Sequence, residues 1–226
     1  MRKALRAVGK ASLAVALAAA LGPGAARGDV RAGIDAWGRG DYAGAIAIWQ
    51  ADAARGDADA QFNLGEAYLL GRGVPRDLAR AEALFGKAAA QGHLRAADNY
   101  GMLLFQRGEH LLAMPYIKSA ADRGEPRAQY LLGLALFNGD TMPKDWVRAY
   151  ALMSLAQQRG LPQAVKALAQ MDEYIPLDQR RRAVALSGTI AAEAEANRAR
   201  AMASEELAAA APAAVARAPA RSAAPA

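Results

Sequence analysis

The sequence predicts an all-α protein built from stacked helical hairpins, and three observations carry that expectation. Apolar residues make up 54% of the 226 positions while aromatics make up only 6%. The surplus is alanine, a strong helix former with little bulk, which suits helices that approach closely. Alternating runs of Val, Ile and Thr, the period of a half-buried strand, are absent. The chain also repeats itself. Gly56, Gly92, Gly124 and Gly160 end the stretches "ADAARG", "KAAAQG", "SAADRG" and "LAQQRG", at spacings of 36, 32 and 36 residues.

The register holds on both sides of these glycines. Eleven residues before each stands an alanine (Ala45, Ala81, Ala113, Ala149), and seven before each a large apolar residue (Trp49, Phe85, Ile117, Met153). Fifteen before each stands an acid: Asp41, Asp77, Glu109, Asp145. Four residues after come Ala60, Ala96, Ala128 and Ala164, followed by Leu64-Gly65, Tyr100-Gly101, Leu132-Gly133 and Leu168-Ala169. A period of this length marks a repeat array, in which each unit buries its apolar face only by stacking on its neighbours.

The elements follow in order. A leading unit covers about residues 30–56. First helices of later hairpins are expected at about 58–70, 94–106 and 126–138, and second helices at about 77–91, 110–123 and 144–159. Pro126 and Pro162 stand at first-turn positions, where a missing N–H costs nothing. A divergent closing pair is expected at about 162–173 and 178–187, joined by "YIPLD". Gly65, Gly101 and Gly133 lie inside first helices, where glycine costs ~1 kcal/mol relative to alanine. Close approach by Ala81, Ala113 and Ala149 of the same hairpins is the expected compensation.

The two ends differ from the array. Arg2, Lys3, Arg6 and Lys10 precede an 11-residue apolar run, "ASLAVALAAAL", and then small residues up to Asp29. This is the layout of a secretory signal peptide over residues 1–28, so an exported, periplasmic protein is expected. The run is shorter than the ~20 residues of a membrane-spanning helix. From residue 188 to 226 a helical extension and a disordered Ala/Pro-rich tail are expected, because small side chains cannot offset the entropy of ordering. The repeat array proper is thus residues 29–187.

Charge and composition exclude several function classes. The formal net charge is +6, but without the five basic residues of the first 28 it is about +1. The positive balance is therefore no argument for nucleic acid. With no cysteine there is no disulfide, thiolate metal site or cysteine nucleophile. His93 and His110 stand in different elements and read as surface or cap residues. No metal or cofactor is expected. Asp57 with Asp59, and Asp172 with Glu173, lie at hairpin ends, where acids cap helices. No catalytic residue is expected. The loop "GRGVPRD" at residues 71–77 invites a phosphate reading, since helix N-termini attract anions. It lacks the P-loop spacing, and its parallel "NGDTMPKD" at 138–145 keeps only the turn chemistry.

Residues 58–93 resemble the Sel1-like repeat, a relative of the tetratricopeptide repeat. The residues that carry the resemblance are Ala60, Leu64, Gly65 and Tyr68, then Gly71, Gly73, Val74 and Asp77, then Lys87, Ala88, Ala89 and Gly92. Residues 126–160 match more loosely, while 94–124 lack four loop residues and look more like a tetratricopeptide hairpin, as does the opening unit. The resemblance implies a right-handed α-solenoid with a scaffold or adaptor role. It also implies that first helices line a concave groove for a protein or peptide. Gln61, Asn63, Glu66, Asn99, Met102 and Gln129 are the expected groove residues, Asn63 and Asn99 being polar groups inside apolar helices. The alternatives for the asparagines are a bound peptide and the backbone of the neighbouring hairpin. The expected protein is monomeric. An envelope scaffold that uses its convex face or tail is the alternative function.

Overall fold

A computed structural model describes residues 30–215, with side-chain surroundings through residue 204. The expected signal peptide and the last eleven residues lie outside this range. Among the described residues there are ten helices and no strand. They form five antiparallel hairpins: α1 (Val30–Gly38) with α2 (Tyr42–Ala54), α3 (Ala58–Leu70) with α4 (Leu78–Ala90), α5 (Leu94–Gln106) with α6 (His110–Asp122), α7 (Pro126–Asn138) with α8 (Trp146–Gln158), and α9 (Pro162–Tyr174) followed by α10 (Leu177–Val215). Each helix from α1 to α8 packs on the next in sequence, which is the stacking of an α-solenoid, while α10 packs on α8 and α6.

The repeated residues act as start and stop signals. Asp41, Asp57, Asp77 and Asp145 each accept the backbone N–H three residues on, satisfying a donor that the helix leaves free. His93 does the same, its Nδ1 accepting from Ala96 N–H at 3.1 Å. The array glycines after the second helices carry φ of +81° to +95°, where a Cβ would be strained.

Mid-helix glycines are compensated by a different partner from the one expected. A Cβ on Gly65 would stand 2.7 Å from the Phe85 ring, and one on Gly101 would stand 2.5 Å from Cβ of Tyr116. Only at Gly133 does the second-helix alanine crowd the site, through Ala149 O at 3.2 Å. The glycines make room mainly for large side chains of the second helix, not for alanine.

The core falls into two clusters that meet at α5. Leu103 belongs to an N-terminal cluster centred on Trp49, Phe62 and Phe85, and Leu104 to a C-terminal one containing Ile117, Leu152 and Met153. Tyr100 packs on both, so α5 couples the two halves.

Helix α10 runs far past residue 187. Gly188 lies in open space and does not end it. The helix packs along α8 and then reaches α6, burying Ala183, Ser187, Ile190 and Ala194. Its Asn197 Nδ2 and Arg198 Nη2 donate to Asp122 O at 2.8 Å and Arg123 O at 3.1 Å, carbonyls at the C-terminus of α6 that have no partner within that helix.

Candidate protein-binding groove

The odd-numbered helices α3, α5, α7 and α9 present one side of the stack, and two connected clefts lie on it. One, of about 350 Å³, is bounded by Asp98, Asn99 and Met102 of α5, with Glu125, Pro126 and Arg127 opposite. The other, of about 490 Å³, lies between α5, α7 and α9 and is lined by Met102, Phe105, Arg127, Tyr130, Leu131 and Leu161, with Gln106 and Gln163 at its edge. Met102 and Arg127 belong to both. Met102, Phe105, Tyr130 and Leu131 are half-buried, so their apolar surface is only partly covered by the stack.

The expected groove residues divide into three groups. Met102 lines both clefts. Asn99 Nδ2 donates to Glu66 Oε1 at 2.6 Å, tying α5 to α3 across the groove floor. Asn63 Nδ2 donates to Asp59 O at 2.8 Å, one turn back in its own helix. Neither asparagine therefore bonds the neighbouring hairpin's backbone. Gln61 and Gln129 are instead interior residues, 4% and 1% exposed. Gln61 Oε1 accepts from Gln91 Nε2 at 2.9 Å, and its Nε2 donates to Ala53 O at 3.3 Å, so it joins three successive helices. Gln129 Oε1 is buried without a protein partner.

Phe105, Tyr130, Leu131 and Arg127 line the clefts besides the six residues expected for the groove. Their register does hold a signal: Arg95 and Arg127 stand three residues after Gly92 and Gly124, on successive first helices.

Charges at the helix starts are arranged by contact. Arg123 pairs with Asp98. Burial pushes the Asp98 carboxyl above its ordinary value, and the hydrogen bond and charge of Arg123 oppose that. His93 stacks on Phe62 with ring centres 4.6 Å apart, and its Nε2 lies 3.4 Å from Asp59 Oδ1. The hydrogen bond to His93 holds Asp59 below its ordinary value, against the effect of burial. The Arg95 guanidinium lies 4.5 Å from the Phe62 ring centre, within cation–π range. On α8, burial and the hydrogen bond to Asp172 at 2.9 Å raise the Tyr150 hydroxyl above its ordinary value.

The "GRGVPRD" segment is a turn. Gly71 takes a left-handed φ of +69° and donates to Ala67 O. Arg72 and Asp77 donate their backbone N–H to Ala67 O at 3.2 Å and Tyr68 O at 3.0 Å. A Cβ on Gly73 would stand 2.7 Å from Cβ of Tyr42, so the loop lies against α2. Among the described residues no group of three or more His, Cys, Asp or Glu is placed to hold a metal ion.

Comparison with known proteins agrees with this geometry. The family model described as Sel1 repeat matches residues 58–93 and 126–161. A curated mouse protein, DAP3-binding cell death enhancer 1, is 34% identical over 156 residues, which is 58% of this chain and 31% of that protein. Its rat counterpart is 34% identical over 152 residues, covering 56% of this chain and 30% of that protein. The chain thus spans about a third of the length of the curated relatives it matches. A crystal structure of a Sel1 repeat protein from Oxalobacter formigenes aligns with a TM-score of 0.50 and 29% identity, covering 62% of this chain and 61% of that one. A protective antigen of uropathogenic Escherichia coli with an SLR fold aligns with a TM-score of 0.49 and 22% identity, over 69% of this chain and 42% of that one. With two matched repeats, the register they share with the hairpins around them, and the stacked-hairpin architecture, the chain is a Sel1-like repeat protein.

Proposed function

We propose that this chain is an exported adaptor that binds a protein segment in the groove formed by α5, α7 and α9. Sel1 repeat proteins generally mediate protein–protein interaction and are typically non-catalytic. The observation that carries the assignment to this face is the cleft of about 490 Å³ lined by half-buried Met102, Phe105, Tyr130 and Leu131. An apolar cleft with a few polar groups at its edge suits a large apolar side chain of a peptide, with the edge groups fixing orientation. Arg127 at the rim favours a segment that carries a carboxylate beside that anchor. Export is supported by the basic and apolar N-terminal pattern in the sequence. Among the described residues no helix is long and apolar enough to cross a membrane.

Photocrosslinking in intact cells tests the reading. A photoreactive residue at Met102 or Leu131 is expected to give discrete protein adducts. The same residue at Ala47, exposed on α2, is the comparison. Equal adduct patterns from the two faces would contradict the groove assignment.

A further inference from the structure

We propose that the open cleft between α4 and α6, on the opposite side of the stack, receives the distal part of α10 from a second copy of this chain. The cleft measures about 890 Å³. Its α4 wall is a row of small residues at 4-3-4 spacing, Ala79, Ala83, Gly86 and Ala90, and Tyr100 and Tyr116 close the floor and far wall. Leu78 at the mouth is 40% exposed, and Leu112, one turn before Tyr116 on the same side of α6, is 59% exposed. The lining is mainly apolar, with Lys87 and the Glu82–Arg107 ion pair among it, and an exposed apolar patch of this kind marks an interaction surface.

The repeat itself shows what fits there. Thirty-two residues on, Ala83, Gly86, Lys87 and Ala90 become Pro115, Lys118, Ser119 and Asp122. Those four α6 residues share a cleft of about 390 Å³ with Asn197 and Ala201 of this chain's own α10, whose Asn197 Nδ2 donates to Asp122 O. The equivalent face one hairpin later thus has a helix beside it. On α4 the same face carries smaller side chains and so admits a helix more closely.

The matching helix surface is on α10. Its packed row runs Ala183, Ser187, Ile190, Ala194, Asn197 and Ala201 at alternating steps of four and three. In sequence the row continues through Ser204, Ala208 and Ala211 with the same small residues and the same steps. Ser204 is already exposed, so the row has left the body of its own chain there. Glu205 and Glu206 follow it in sequence, opposite in charge to Lys87 at the cleft. Two copies exchanging these ends make a closed, two-fold contact, the commonest symmetry of homo-oligomers.

Sedimentation velocity of the purified chain over a range of concentrations tests the proposal. The parent is expected to move from one chain mass towards two. Ala83→Arg, on an exposed position of α4, and Ala208→Arg, on α10, are each expected to weaken association by about tenfold or more, with helical circular dichroism matching the parent. Mixing the two variants is expected to restore pairs, because one keeps an intact helix end and the other an intact cleft. A parent that stays at one chain mass throughout, or variants that pair as well as the parent, would overturn it.

Discussion

Asn99 on α5 and Glu66 on α3 are 33 residues apart in sequence and 2.6 Å apart in space, Nδ2 donating to Oε1. The pair is half-buried and bridges neighbouring first helices at the floor of the groove face. A charge-assisted bond between two repeats is a coupling energy between them. A double-mutant cycle with Asn99→Ala and Glu66→Ala, read by urea unfolding, is expected to give about 0.5–1.5 kcal/mol of interaction. Additive effects of the two substitutions would mean the pair contributes nothing to repeat coupling.

Gly65 marks where α3 makes room for a ring. Phe85 is fully buried, and a Cβ on Gly65 would meet it at 2.7 Å. Gly65→Ala gains helix propensity, yet it is expected to destabilise by about 1–3 kcal/mol because the ring has no free space to enter. Combining it with Phe85→Leu is expected to recover part of that loss. Unfolding midpoints of the single and double variants check both statements.

Asp52 has the opposite sign. It is 2% exposed, and it occupies the position where the later units have Ala88, Ala120 and Ala156. One carboxylate oxygen pairs with Arg55, while Oδ2 is buried without a partner. Asp52→Ala removes an incompletely satisfied carboxylate and leaves the 42% exposed Arg55 side chain to solvent. It is expected to be neutral or to stabilise by up to about 2 kcal/mol. A clear loss in the denaturation midpoint would contradict this.

Asp59 predicts a pH dependence. Its folded-state value is lowered, chiefly by the hydrogen bond to His93. A carboxyl lowered on folding adds stability above its unfolded value and loses it as pH falls through the folded value. Asp59→Asn is therefore expected to be less stable than the parent at neutral pH, with the difference closing below the ordinary carboxylate range. Thermal melts across that range measure it, and a constant difference at all pH values would refute the linkage.

Much of the fold was legible because glycine, alanine and aspartate each have a backbone reason to recur. The left-handed glycines and the capping acids placed the helix ends of α3 to α9 to within two residues. Residue type says less about which way a side chain turns. Gln61 and Gln129 hold one repeat position and Asn63 and Asn99 another two residues on, and the glutamines turn inward, where Gln61 finds Gln91 and Ala53 O. Phe105 and Tyr130 pack against the core and also line a cleft, a double role that residue type does not reveal. Helix α10 runs through Gly188 to Val215. The small-residue row on α10 packs against α8, and that tertiary contact outweighs the local cost of one exposed glycine.

We propose that a partner is held by the face of α5, α7 and α9. The most direct test is the affinity of a peptide from a crosslinked partner, titrated against the parent, Leu131→Arg and Ala83→Arg. Leu131→Arg places a charge in the apolar cleft and is expected to weaken binding by about tenfold or more, while Ala83→Arg on the opposite face leaves it unchanged. Equal affinities for all three, or a loss confined to Ala83→Arg, would contradict the account.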